Sequence, residues 1–134
     1  MSTNPYAAYD TAVTTADPIT LTTMLFDGGL KALRKARIQY ESHNREGFLK
    51  ETNRAYLIVG ELLATLDLDQ GELPRTLSGI YTYCMRLLTQ STLGDMGKLD
   101  EVERHLSKIA ESWKAATAEM KAAAPAPAFR EAAA

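Results

Sequence analysis

The sequence predicts an all-α fold, an antiparallel four-helix bundle. Apolar residues recur every three or four positions in four stretches of about 20 to 26 residues, the spacing of one helix face. Short polar or glycine-containing segments separate these stretches. Helices of this length are roughly 30 to 40 Å long, and equal rods joined by short loops pack antiparallel. With 134 residues, 46% of them hydrophobic, the chain can bury one core.

The first helix is predicted to begin at Asp17-Pro18. Aspartate can accept hydrogen bonds from free amides at the N-cap, and proline at the first helical position lacks the donor that would go unpaired. The helix is predicted to end in the polar stretch Ser42-His43-Asn44. Gly28 and Gly29 each cost about 1 kcal/mol in helix propensity, which indicates close helix packing. The predicted core face comprises Leu21, Leu25, Gly29, Leu33, Ala36 and Tyr40, with Phe26 beside it.

The other three helices follow from the same periodicity. The second is predicted from about Glu46 to Leu66, the third over 73–93 after a turn at Gly71, and the fourth over 98–121 after Gly94. Their core faces comprise Phe48, Thr52, Ala55, Val59, Leu62 and Leu66 in the second, Leu73, Leu77, Ile80, Cys84, Leu87 and Ser91 in the third, and Leu99, Val102, Leu106, Ile109, Trp113, Ala116 and Met120 in the fourth.

The outer faces of the third and fourth helices differ in charge. The fourth carries ten charged residues, whereas only Arg75 and Arg86 are charged in the third. A helix face without charges is typical of a surface that binds a partner. Leu57 lies almost opposite the core face of the second helix, and Ile58 lies at the edge of that face. Tyr83 flanks the core face of the third helix. These positions predict an apolar groove between helices two and three that accepts an amphipathic helix.

The chain ends are predicted to lie outside the bundle. Residues 1–16 are small, Thr-rich and aperiodic apart from Tyr6 and Tyr9, so we expect a flexible N-terminal arm. Residues 122–134 are mostly alanine and proline, which predicts a disordered tail. The bundle itself is assigned to 17–121. We also hypothesise that Tyr6 and Tyr9 dock in the groove, because two aromatic residues on a polar arm have little other reason to be together.

Composition argues against several functions. The net charge is −2 and the basic residues are not clustered, so the sequence predicts no positively charged surface that would bind nucleic acid. No apolar run reaches the roughly 20 residues that span a membrane, and the start lacks the pattern of a signal peptide. The single cysteine, Cys84, lies on a core face, which predicts packing and a reducing, cytoplasmic compartment. No cofactor, metal site or enzymatic activity is predicted, because neither His43 nor His105 follows a glutamate by three residues, as di-iron bundles require.

Two alternatives to a helix-binding protein remain at this point. The segment His105-Leu-Ser-Lys108 partly resembles the His-x-x-Lys of histidine phosphotransfer bundles, although Ile109 stands where those proteins usually have glycine. The second alternative is a structural homodimer in which the same groove packs on its own copy.

Five segments, in order, resemble the flagellar secretion chaperones. They are Asn4-Pro5-Tyr6-x-x-Tyr9, Asp17-Pro18 leading into Met24-Leu25-Phe26-Asp27-Gly28, Glu61-Leu62-Leu63-x-x-Leu66-Asp67, Leu77-x-x-Ile80-Tyr81-x-Tyr83, and Glu101-Val102 leading to Trp113. The resemblance covers about residues 4–121. It implies a chaperone that binds the disordered C-terminal segment of flagellin, prevents premature polymerisation and delivers its client to the flagellar export apparatus. The residues expected to contact the client are Tyr6, Tyr9, Leu57, Ile58, Tyr81, Tyr83 and Leu88.

Overall fold

The computed structural model describes residues 17–123. Within them it contains four helices: α1 (Pro18–Glu41), α2 (Arg45–Ala64), α3 (Glu72–Ser91) and α4 (Met96–Ala123). Each helix packs against the next along the chain, and α4 closes the ring against α1. The predicted antiparallel four-helix bundle is therefore confirmed, and the observed helix ends lie within two residues of the predicted ones. The predicted arm and tail lie outside the described residues.

The helix ends carry the signals that the sequence predicted. The Oδ1 atom of Asp17 accepts a hydrogen bond from the Thr20 amide at 2.7 Å, and Pro18 follows in the first turn. Asn44 caps α2 by accepting from the Gly47 amide at 3.0 Å. Gly71 and Gly94 have φ angles of 107° and 104°, a region in which side chains are strained, so glycine suits both turns. None of the helices among residues 17–123 is long and apolar enough to cross a membrane.

The core contains most of the predicted faces of all four helices, although Tyr40, Leu73 and Met120 of those faces are exposed. Its largest fully buried hydrophobic side chains are Phe26 and Leu33 of α1, Phe48, Val59 and Leu62 of α2, Leu88 of α3, and Leu99, Val102 and Leu106 of α4. Two sets of ion pairs on the surface join α1 to α4. Arg37 contacts Asp100 and lies 3.3 Å from Glu103 (Nη1 to Oε1), and Lys114 Nζ lies 2.7 Å from Asp27 Oδ1.

Gly29 lies where α1 approaches both α2 and α4. A β-carbon built at this position would lie 3.0 Å from Leu106 Cδ2 and 3.3 Å from Ile58 Cγ2. Both distances are shorter than ordinary van der Waals contacts. The close helix packing predicted for Gly29 is therefore present, and it explains a glycine in the middle of a helix.

We expect Gly29→Ala to destabilise the bundle, although alanine is the better helix former. The added methyl group would crowd Leu106 and Ile58, and overpacking costs about 1 to 3 kcal/mol, more than the roughly 1 kcal/mol of propensity gained. Gly79 is the matched control, because a β-carbon there meets nothing within 4 Å. Gly79→Ala should stabilise the protein by up to about 1 kcal/mol. Urea unfolding measures both changes, and stabilisation by Gly29→Ala would contradict the packing.

Candidate binding groove

An open apolar groove lies at the end of the bundle where α1 and α3 begin. Its volume is about 1060 Å³, slightly above the roughly 300 to 1,000 Å³ typical of ligand pockets. The walls come from the start of α1, the first half of α3 and the second half of α4, and the loop after α2 closes one end. The apolar residues lining it include Pro18, Ile19, Leu21, Phe26, Leu66, Leu73, Pro74, Leu77, Ile80, Tyr81, Ile109, Trp113 and Ala116.

The groove exists because the predicted core faces of α3 and α4 are not covered by other helices at this end. In α3 the face is buried at Cys84, Leu87 and Ser91, but Leu77 and Ile80 are only partly buried and Leu73 is 70% exposed. In α4 the face is buried from Leu99 to Leu106, whereas Ile109 and Trp113 are only partly buried. The periodicity predicts that both faces are core along their whole length, and that prediction is wrong at this end. Apolar side chains left uncovered in this way are typical of a surface that binds a partner.

Two aromatic residues form the wall beside α1. The ring centroids of Phe26 and Trp113 are 6.2 Å apart, within the range of favourable aromatic contacts. The indole Nε1 of Trp113 donates to Thr23 Oγ1 at 2.8 Å, which satisfies its polar group and fixes the ring. Because Trp113 is the only tryptophan in the chain, its fluorescence reports on this groove.

Tyr81 and Cys84 lie deeper on the same face of α3. Burial raises the pKa of Tyr81 to about 12, with a smaller contribution from Cys84. Burial, and then the negative charge of Glu101, raise the pKa of the Cys84 thiol to about 11. The thiol is thus protonated at neutral pH, and the thiol form is a poor nucleophile. This supports the packing role that the sequence predicted for Cys84.

A polar cluster of Tyr83, Glu101 and His105 borders the groove. His105 lines the groove, and its Nε2 lies 3.2 Å from Glu101 Oε2. Hydrogen bonds from Tyr83 and then from His105 lower the pKa of Glu101. The contact with Glu101 occupies Nε2, so that nitrogen is not free to accept a phosphoryl group while the pair is formed. Among residues 17–123 no three potential metal ligands of the histidine, cysteine or carboxylate type come together.

The predicted contact residues do not form one surface. Tyr81 lines the groove, and the ring of Tyr83 lies 6.0 Å from that of His105 at its border. Leu57 is 58% exposed on α2 and does not line the groove, while Ile58 is partly buried close to Gly29 of α1. Tyr6 and Tyr9 lie outside the described residues.

One expectation needs correction. Leu88 has no exposed surface and belongs to the core together with Leu87, so it is not a surface contact. The open groove of the structure is bounded by α1, α3 and α4, and the groove predicted between α2 and α3 stays a prediction. The sequence does not distinguish Leu73, Leu77, Ile80 and Ile109 as site residues, because their periodicity is identical to that of core residues. What they share is their place, in the first half of α3 or from the middle of α4 onwards.

The sequence of the chain is similar to that of a known protein family. The family model of the flagellar protein FliS matches residues 2–120. The chain belongs to the FliS family. It is 36% identical over 115 residues to the flagellar secretion chaperone FliS of Bacillus subtilis, covering 84% of this chain and 86% of that protein. It is 39% identical over 108 residues to the FliS chaperone of Salmonella typhimurium, covering 78% and 80%. The flagellar secretion chaperone FliSB of Pseudomonas aeruginosa is 34% identical over 105 residues, covering 75% and 82%.

Proposed function

We propose that this chain is a cytoplasmic flagellar secretion chaperone that binds the disordered C-terminal segment of flagellin. Binding prevents premature polymerisation and keeps the client competent for the flagellar export apparatus. The observation that carries the proposal is the open apolar groove at one end of the bundle. The relatives named flagellar secretion chaperones support it.

The shape and chemistry of the groove suit an amphipathic helix. Its walls are apolar on three helices, and its polar groups, such as Asp67, His105 and Lys108, are few. A helical client places apolar anchors every three or four residues along one face, and such anchors bind in grooves of this kind. A disordered segment that folds on binding buries these anchors in the chaperone. The same anchors are then no longer available for contacts between flagellin subunits.

The N-terminal arm is proposed to compete with the client. Pro18 and Ile19 line the groove, so the chain leaves the bundle at its edge. Tyr6 and Tyr9 are separated from Pro18 by 12 and 9 positions, and a chain reaches about 3.3 Å per residue, enough to cross the groove. We propose that these tyrosines occupy the groove in the free protein and leave when flagellin binds.

Tyr83, Leu57 and Ile58 keep a proposed secondary role. Tyr83 lies beside His105 at the border of the groove, and a client longer than the groove would pass over it. Leu57 is exposed on α2, away from the groove, and is proposed as a separate apolar contact, and Ile58 offers only its exposed part.

A peptide from the C-terminal segment of the cognate flagellin tests the function directly. Calorimetry should give a 1:1 complex, circular dichroism should show a gain of helix, and the emission of Trp113 should change during the titration. A peptide that stays disordered and leaves Trp113 unchanged would overturn the proposal. If the free protein instead grows in size with concentration, and the peptide does not reverse this, the homodimer is favoured. Deleting residues 2–15 should tighten binding, and unchanged affinity would count against the docked arm.

A further inference from the structure

A second, smaller cavity lies at the opposite end of the bundle. It has a volume of about 380 Å³ and lies between the second half of α1 and the first half of α2. Lys35, Ile38 and Gln39 line it from α1, and Lys50 and Glu51 from α2. Because α1 contains 24 residues, roughly 36 Å separates its two ends. A molecule in this cavity would not compete with one in the apolar groove.

Glu51 is the unusual member of this cavity. The residue is only 8% exposed, and its Oε2 is fully buried without a hydrogen-bond partner. Native proteins seldom leave a buried polar atom unpaired, because the lost hydration is not replaced. Because Glu51 itself lines the cavity, a turn of its carboxylate would bring this unpaired oxygen to a donor that enters from outside the bundle.

The neighbouring lysines do not provide that donor. Lys35 and Lys50 are exposed, and within residues 17–123 no salt bridge joins either of them to Glu51. A lysine ammonium group is compact and strongly hydrated, so it gains little by leaving water. Glu51 therefore has no salt-bridge partner among residues 17–123.

The rest of the cavity suits one kind of side chain. Ile38, 58% exposed, offers an apolar surface at the edge of the cavity. Gln39 contributes an amide oxygen, and Gly47 leaves room for it, since a β-carbon there would lie only 2.6 Å from Gln39 Oε1. An aliphatic stem ending in a planar group with several donors would fit all three features. Arginine has that combination, and its guanidinium is more weakly hydrated than an ammonium group.

We propose that this cavity is a binding site for an arginine side chain of a second partner protein. The guanidinium donates charge-assisted hydrogen bonds to Glu51 and a further one to Gln39 Oε1, while the stem packs on Ile38. The inference is independent of the function proposed for the groove. It gives the chain a second, polar contact point that remains free when the client is bound.

Methyl NMR of the full chain tests this site with small probes. N-acetyl-arginine amide, in the millimolar range, should shift the δ1-methyl signal of Ile38 and leave those of Ile19 and Ile109 in place. The citrulline analogue has a similar shape but no charge, and it should bind at least about tenfold more weakly. Glu51→Gln should weaken arginine binding by a similar factor. Equal responses to the two probes, or arginine binding that survives Glu51→Gln, would overturn the proposal.

Thermal unfolding provides a second readout that does not depend on the probe. Because Glu51→Gln removes an unpaired buried charge, it should raise the Tm of the free protein, by about 4 °C for a gain of roughly 1 kcal/mol. Lys50→Met is the matched control, and it should leave the Tm within about 1 °C. A Tm that falls or stays the same in Glu51→Gln would show that Glu51 is already satisfied within the bundle, and would overturn the proposal.

Discussion

Replacing Leu73 by glutamate should weaken binding of the flagellin peptide about tenfold or more and leave the bundle folded. Leu73 lines the groove yet is 70% exposed, so the free protein gains little from it. A client that covers it gains about 1.5 to 3 kcal/mol from its burial, and each 1.4 kcal/mol is about a factor of ten in affinity. Residue 73 lies in the first turn of α3, where a negative charge is favourable. Calorimetric titration of the variant measures the loss.

Two other exposed leucines serve as controls for the Leu73 variant. Leu93 is 86% exposed in the loop between α3 and α4, and Leu57 lies on α2. Neither residue lines the groove. Leu93→Glu should leave the affinity unchanged, and Leu57→Glu should reduce it only slightly. If Leu57→Glu weakens binding more than Leu73→Glu, the client occupies the α2–α3 face that the sequence alone predicted.

Replacing Leu88 by alanine should lower the free energy of unfolding by about 2 to 5 kcal/mol, the range for leucine deletions in protein cores. The side chain has no exposed surface and packs in the core cluster. Removing it leaves a cavity that the neighbouring side chains fill only in part. Urea unfolding followed by circular dichroism measures the change.

Leu57→Ala is the matched control for Leu88→Ala, because it makes the same substitution at a position that is 58% exposed. Its effect on stability should stay within about 0.5 kcal/mol, as for most surface substitutions. If both variants are equally stable but Leu88→Ala loses peptide binding, Leu88 is a contact residue as the sequence suggested, and the core described above is wrong.

The helices and their ends could be predicted from the sequence because their causes are local. Asp17 and Pro18 start α1 through one hydrogen bond and one missing donor. Gly71 and Gly94 mark the turns through their backbone angles. The core faces follow from spacing alone, and the buried residues of α2, from Phe48 to Leu62, include every predicted position except the last.

The groove could not be predicted because its cause is not local. Ile80 and Ile109 have the same spacing and chemistry as fully buried Leu99 and Leu106. Whether such a side chain is covered depends on how α1, α3 and α4 are placed relative to one another, which no single helix encodes. Leu88 illustrates the opposite case, since its apolar neighbour Leu87 belongs to the predicted core face, and the buried face of α3 is wide enough to include both residues.

Isoleucine methyl NMR during a flagellin-peptide titration tests the central claim most directly. The chain has five isoleucines, of which Ile19, Ile80 and Ile109 line the groove, Ile58 lies on α2 and Ile38 lies at the opposite end. If the groove receives the client, the three groove methyls should shift together and saturate at one peptide per chain, with Ile38 unmoved. Shifts confined to Ile58, with the three groove methyls unchanged at saturation, would contradict the account.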